Sequence, residues 1–393
     1  MVRKILPLLF ALGITSTSLA VIPPPEVSAP MYVLLDGDTG SVIAEKSAKN
    51  PVPIASVTKI MTAYVVFKEI QHGTLSMSEE VIVGKSAYDR SGSTMFLEIG
   101  QKVTVEDLIK GLLAVSGNDA ATALAEHISG DEQRFAQLMN AYAVEIGMTD
   151  SDFINASGLD SQSNAGKSTA MDLSKVIYRL INDFPEYYEY FSIKEFAYNG
   201  INQSNRNALI HESDEYTGLK TGYTQRAKYC LAASYRKGDR GVVAVVLGAK
   251  SSAKRFDAAR VLINYGYRRF ANITPIDETR KVLSLPVYFG EMDEIAVYPS
   301  ESFSMTVPRE LTGEIDNGDV TLEVSLENND FGFPYVSAPI ASKSLVVGEI
   351  RVLYQGRLVK TVPLITKGAI ASSGFFDKGI DFLRLKYKSL TNG

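Results

Sequence analysis

The sequence predicts an α/β fold in which an antiparallel sheet carries a helical insertion, followed by a small all-β domain and a C-terminal amphipathic helix. Three observations carry this expectation. Strand-like runs occur at both ends of a helical middle, so one sheet must bring the first runs beside the last. Beyond residue 272 the texture changes to short alternating runs, and beyond 367 it changes again to apolar residues at helical spacing. The expected divisions are a leader at 1–20, a first domain at 21–272, a β-rich domain at 273–367 and a tail at 368–393.

Arg3 and Lys4 precede an apolar stretch over 5–14, and Ser18-Leu19-Ala20 has the small-x-small pattern of a cleavage site, which together read as an export leader. The stretch is too short to span a bilayer comfortably. Met31-Tyr32-Val33-Leu34-Leu35 and Val42-Ile43-Ala44 flank Asp36-Gly37-Asp38-Thr39-Gly40, the pattern of a hairpin. Helical patterns follow over 56–67 and 104–115. Thr104 and Asp107 cap the second, and Leu108, Ile109, Leu112 and Leu113 form its stripe. It stops at Ser116-Gly117-Asn118, before a further helix over 120–128. Runs at 229–234 and 241–248 are strand-like, the second continuously apolar as in a sheet covered on both faces. A helix over 253–265 closes the first domain.

The β-rich domain is read from runs at 281–289, 295–298, 303–307, 320–326 and 350–364, the last folded at Gln355-Gly356. It contains no constellation for chemistry and reads as a spacer or docking module. In the tail, Phe376, Ile380, Leu383, Tyr387 and Leu390 recur at helical spacing, widened by Phe375 and Phe382 and opposed by Lys378, Arg384, Lys386 and Lys388. Such a helix suits the membrane surface, the alternative being a helix docked on its own protein. The expected location is the outer face of the cell membrane, with peripheral anchoring.

Composition narrows the chemistry. At 393 residues with 45% hydrophobic and 22% charged residues the chain is ordinary globular material, and a net charge of −5 without a basic stripe argues against nucleic acid as partner. The single cysteine, Cys230, excludes an intrachain disulfide and sits in an apolar run, where a buried inert thiol is expected. Three histidines, His72, His127 and His211, show no metal-ligand spacing, so no metal or cofactor is expected and lysine becomes the leading candidate base.

Ser56-Val57-Thr58-Lys59 supplies that lysine. Residues three apart share a helix face, so the amine can reach the hydroxyl and take its proton. Ser116-Gly117-Asn118 and Lys220-Thr221-Gly222 follow in the order that a serine acyl-transferase site requires. With this triple the chain resembles the low-molecular-mass penicillin-binding proteins, the serine D-alanyl-D-alanine carboxypeptidases, within the serine β-lactamase and penicillin-binding superfamily. Gly117 stands where β-lactamases carry aspartate.

The resemblance implies a penicillin-binding transpeptidase-like domain and a site of named parts. Ser56 would be the nucleophile, Lys59 its base, and Ser116 a relay of a proton to the leaving amine. Asn118 would hydrogen-bond the substrate amide, while Lys220 and Thr221 would bind the terminal carboxylate. Backbone N–H groups of Ser56 and Tyr223 would hold the oxyanion, with Gly222 allowing close approach. Arg206 and Arg255 are further cationic candidates, for which an ion pair is an equal reading. The segment from Phe153 through Asp172 resembles the family's loop at the cleft floor and lacks the Glu-x-x-Leu-Asn pattern of class A β-lactamases. The expected partners are a stem peptide ending in D-Ala-D-Ala, β-lactams as covalent inhibitors, and the membrane surface. A β-lactamase, a DD-endopeptidase and a non-catalytic wall-binding module are the competing readings.

Overall fold

Turn chemistry sets the first hairpin. In the structure, a computed structural model that describes residues 23–161, 164–311, 319–328, 333–340 and 344–391, β1 (Met31–Asp36) and β2 (Val42–Lys46) pair antiparallel. Gly40 turns the chain at φ +71°, where a side chain would be strained. The leader expected at 1–20 lies outside the described residues.

The helical insertion comes next. A single 3₁₀ turn at Ala55–Thr58 leads into α1 (Lys59–His72). α2 (Val105–Lys110) is capped as expected, with the Thr104 hydroxyl accepting from the Asp107 N–H at 3.1 Å. It runs into a π turn at Gly111–Val115 and ends on Ser116, which is left-handed at φ +65°. α3 (Asn118–Ser129), α4 (Glu132–Glu145) and α5 (Ala170–Asp183) complete the insertion. A small hairpin, β3 (Glu195–Tyr198) and β4 (Ile201–Ser204), turns on Asn199-Gly200.

Three long strands, β5 (Tyr216–Thr224), β6 (Lys228–Lys237) and β7 (Arg240–Ala249), then return to the hairpin, and α6 (Ser252–Arg269) follows. The sheet runs β2-β1-β7-β6-β5 with every neighbour antiparallel, so the first and last strands of the domain lie side by side as the sequence predicts. Alternation along β7 explains its continuous apolar run. Val243, Val245 and Leu247 face α1 and α5, whereas Val242, Ala244 and Val246 face α6. Each of these larger side chains contributes roughly 1.5–3 kcal/mol by burial, and a charge at Val245 would leave one face of the sheet without its packing.

β8 (Phe270–Ile276) crosses residue 272 and pairs with β11 (Phe303–Pro308), β9 (Leu283–Tyr288) and β10 (Glu294–Pro299) lying between them in sequence. With β12 (Val320–Leu326), β13 (Val336–Ser337), β14 (Ser344–Tyr354) and β15 (Arg357–Lys367) they form the second domain, whose larger sheet is ordered β12-β14-β15-β10-β9-β13. Gln355 and Gly356 join β14 to β15 with φ of +51° and +74°, the primed turn that suits a twisted hairpin.

A buried ion pair fastens the two domains. Arg240 Nε donates to Asp36 Oδ2 at 3.0 Å, and Arg240 Nη1 donates to the Phe270 carbonyl at 2.7 Å. Asn272 Nδ2 donates to Asp36 Oδ1 at 3.0 Å, and the Thr39 and Thr306 hydroxyls meet at 2.7 Å. The tail forms α7 (Phe375–Thr391), seated by Leu385 among Tyr288, Phe333 and Tyr335 and by the Phe289 N–H donating to Asp381 at 2.8 Å.

Candidate active site

The site grows from the turn between two anchors. Ile54, Val57 and Ile60 are buried and fix the turn around Ser56, whose side is left half-exposed. Ala55, at φ +48°, holds a strained backbone directly before the serine. Lys59 opens α1 with no exposed surface, and its Nζ lies 3.2 Å from Ser56 Oγ. It also donates to Asn118 Oδ1 at 2.7 Å and to the Ser157 carbonyl at 2.8 Å. An ammonium can serve all three oxygens, whereas the neutral amine has a lone pair for the serine proton.

Burial holds the Lys59 amine well below the ordinary lysine range, and the charge of Lys220 lowers it further against the opposing pull of Asp119 and Glu132. Lys220 is itself buried, pushed down to about 7 by desolvation and then by Arg255 and Arg206. Burial thus favours the neutral form of both amines, and the charge of Lys220 adds to that effect at Lys59.

Helix termini supply one wall. Asn118 begins α3 just after the left-handed Ser116; its Oδ1 takes Lys59 and its Nδ2 donates to the Ser91 carbonyl at 2.7 Å, while its N–H donates to the Ser93 carbonyl at 2.7 Å. Ser116 is 4% exposed, two residues away at the same break. Asp119, buried beside it, accepts from the N–H groups of Met95 at 3.0 Å, Leu97 at 3.2 Å and Ala120 at 2.9 Å. That carboxylate ties the loop after Ser91 to the helix carrying Asn118.

β5 forms the opposite wall, Lys220, Thr221 and Gly222 standing opposite Ala232, Leu231 and Cys230 of β6. A Cβ on Gly222 would sit 2.7 Å from the Ile54 carbonyl oxygen and 3.1 Å from the Val57 nitrogen, so only glycine lets the strand lie this close to the serine turn. The next residue, Tyr223, is 53% exposed and rests on Tyr229 with ring centroids 4.5 Å apart. Below, a Cβ on Gly158 would fall 2.0 Å from the Ala55 carbonyl oxygen, so the 153–160 segment closes directly under the Ser56 turn. Ser56, Lys59 and Asn118 thus share one hydrogen-bonded chain, with Lys220 across the cleft coupled by charge. Cys230 lies on β6 opposite Gly222, buried, its thiol pushed up to about 11.

The D-alanyl-D-alanine carboxypeptidase family model matches residues 18–251, and the model for the C-terminal domain of penicillin-binding protein 5 matches 270–372. The chain belongs to the D-alanyl-D-alanine carboxypeptidase family. D-alanyl-D-alanine carboxypeptidase DacC of Escherichia coli is 37% identical over 370 residues, covering 92% of this chain and 89% of that relative. DacF of Bacillus subtilis is 32% identical over 346 residues, 87% of this chain and 86% of the relative. Penicillin-binding protein 5 of Haemophilus influenzae superposes with a TM-score of 0.77 at 29% identity, over 89% of this chain and all of that one. The ampicillin-bound form of penicillin-binding protein D2 of Listeria monocytogenes superposes at 0.57 and 30% identity, over 62% of this chain and 100% of that one.

Against the family triple, this carboxypeptidase adds groups that carry no motif. The Ser157 carbonyl holds Lys59, and a backbone oxygen leaves no trace in a sequence pattern. Asn155 Oδ1 shapes that floor by accepting from the Gly158 N–H at 2.7 Å. Glu132 accepts from the Ala156 N–H at 3.3 Å and pairs with Arg90, joining the floor to the loop on the far side. The β3–β4 hairpin braces the same loop, with Gln203 Nε2 donating to the Thr94 carbonyl at 3.1 Å and Asn199 Nδ2 to the Phe96 carbonyl at 3.0 Å. Its Asn199-Gly200 dipeptide is the signal that would have found it. Arg206 is exposed, and Arg255 is buried at 8% exposure against β5.

Proposed function

We propose that this serine carboxypeptidase removes the terminal D-Ala from peptidoglycan stem peptides through an acyl-enzyme on Ser56, and is inhibited by β-lactams through the same ester. One observation carries the proposal: a fully buried lysine amine, depressed in basicity, stands 3.2 Å from the Ser56 hydroxyl. Lys59 in its neutral form accepts the hydroxyl proton as Oγ attacks the carbonyl of the penultimate D-Ala. The oxyanion is held by the N–H groups of Ser56 and Tyr223. Ser116 passes a proton to the leaving amine, D-Ala departs, and water activated by Lys59 then hydrolyses the ester. Lys220 and Thr221 take the substrate carboxylate. Asn118 keeps one amide hydrogen for the substrate, its other being given to Ser91.

Export by the leader at 1–20 and anchoring by α7 belong to the same proposal. Among the described residues no helix is long and apolar enough to cross a membrane. Leu385 faces the protein, whereas Phe375, Phe376, Leu383, Tyr387 and Leu390 are each more than two-thirds exposed, an apolar face available to a lipid surface. The domain divisions at 21–272, 273–367 and 368–393 belong to it as well, β8 (Phe270–Ile276) straddling the first boundary.

Benzylpenicillin labelling followed by mass spectrometry tests the mechanism. The adduct is expected on the peptide containing Ser56, persisting for many turnovers' worth of time, with D-Ala release abolished in Ser56→Ala. An adduct on another residue, or rapid penicillin turnover, overturns it.

A further inference from the structure

We infer that Arg255 is a positioning residue for the oxyanion pocket, its guanidinium fixing and polarising the peptide unit shared by Gly222 and Tyr223. Arg255 is buried on the first turns of α6, yet no carboxylate pairs with it among the described residues, an uncommon setting for an arginine. Its plane packs near the rings of Phe256 at 4.9 Å and Tyr229 at 5.5 Å. Two of its three acceptors are backbone oxygens of the strands beside the cleft. Nη1 donates to the Gly222 carbonyl at 3.1 Å and to the Cys230 carbonyl at 3.3 Å, and Nη2 donates to Ser252 Oγ at 3.3 Å. Nε has no protein acceptor among the described residues.

Geometry fixes what this does to the neighbouring amide. Gly222 and Cys230 stand opposite each other, and one nitrogen can reach both of their oxygens only if both carbonyls face the strip between β5 and β6. In a planar trans peptide the N–H points opposite to the C=O, so the Tyr223 N–H is aimed away from β6. Because β5 is the outermost strand of its sheet, that direction leads to its open edge, and the serine turn at Ile54 and Val57 packs over Gly222 on the same strand. A buried cation at the oxygen end of an amide draws charge from it and strengthens its N–H as a donor. Nothing in the mechanism otherwise uses Arg255, and its charge also bears on Lys220.

The inference rests on the reading of the Tyr223 N–H as an oxyanion donor, so the test separates the two. The full chain and its Arg255→Met variant are acylated with benzylpenicillin, and the ester carbonyl stretch is read by infrared difference spectroscopy beside the acylation rate and the noncovalent Kd. For Arg255→Met the stretch is expected at higher frequency and acylation about 10- to 100-fold slower, short of the loss for a whole donor, with Kd little changed. A stretch unchanged from a hydrogen-bonded wild-type band overturns the role of Arg255 alone. A wild-type band already at the frequency of a free ester overturns the Tyr223 reading and this inference with it. Weakened noncovalent binding with an unchanged stretch makes Arg255 a carboxylate binder instead and overturns the inference. Should Arg255→Met lose its fold, Arg255→Lys carries the test: it keeps the charge without the fork, and an intermediate stretch is expected, an unchanged one being fatal.

Discussion

Lys59 and Asn118 meet amine to amide oxygen at 2.7 Å, although they come from different helices. The acceptor is neutral, which lets the lysine lose its proton without stranding a carboxylate. Asn118→Asp places an anion in that contact, and an opposite charge so close favours the ammonium. Acylation by benzylpenicillin at pH 7 is expected to fall at least about 10-fold, with the acid limb of its pH profile displaced to higher pH. Stopped-flow labelling across pH checks this, and an unmoved acid limb counts against Lys59 as base.

The two lysines predict a bell-shaped profile for D-Ala release. Lys59 must be neutral, so activity rises with pH through its depressed pKa; Lys220 must be charged to hold a carboxylate, so kcat/KM falls as pH passes about 7, the value to which burial and Arg255 push it. Lys220→Arg keeps its charge throughout. The variant is expected to lose the alkaline limb while keeping the acid one, whatever its absolute rate. A retained alkaline limb would assign that ionisation elsewhere.

Asp119 organises the loop at the cleft through the N–H groups of Met95 and Leu97 and also accepts from Ala120 of its own helix, each a bond to a charged acceptor. Asp119→Asn turns one acceptor oxygen into a donor facing those donors. A loss of about 2–4 kcal/mol in unfolding free energy is expected, read by urea titration, together with slower acylation as the loop carrying Ser91 and Ser93 loosens its hold on Asn118.

The tail has two faces with separable duties. Leu385→Ala empties a site with no exposed surface and is expected to cost about 2–3 kcal/mol, seen as a lower Tm of the second domain. Leu383→Ser and Phe376→Ser change outward residues; they are expected to leave Tm alone and to weaken binding to anionic phospholipid vesicles by about 10-fold or more. Equal vesicle binding by the double variant would refute anchoring through this face.

Legibility in the sequence followed how local each cause is. Asp36 to Gly40, the Thr104 cap and the Gln355-Gly356 turn are set by neighbouring residues, and all three were readable. β7 was readable because covering on both faces leaves it apolar throughout. β5 was not: Tyr216–Thr224 contains Gly218 and Gly222 and lacks alternation, so nothing in its pattern marks it as a strand. The π turn before Ser116 was also hidden. A Cβ on Gly111 would lie 2.2 Å from the Met95 sulfur, a contact across the fold that no spacing within the helix announces. The motif serines, lysines and asparagine were visible, but the Ser157 carbonyl and the buried Arg255 act through geometry that only the folded chain defines.

The latch of Asp36 and Arg240 has a mechanical meaning. A carboxylate on the first strand holds an arginine from β7, and the pair reaches the first strand of the second domain through Asn272 and the Phe270 carbonyl. With α7 seated on that second domain, no free tether separates the outer face of the tail from Ser56. With the anchoring proposed for α7, the chain would act as a strut rather than a leash: the height at which the serine works would be built into the fold, and only peptides presented at that height would be within its grasp.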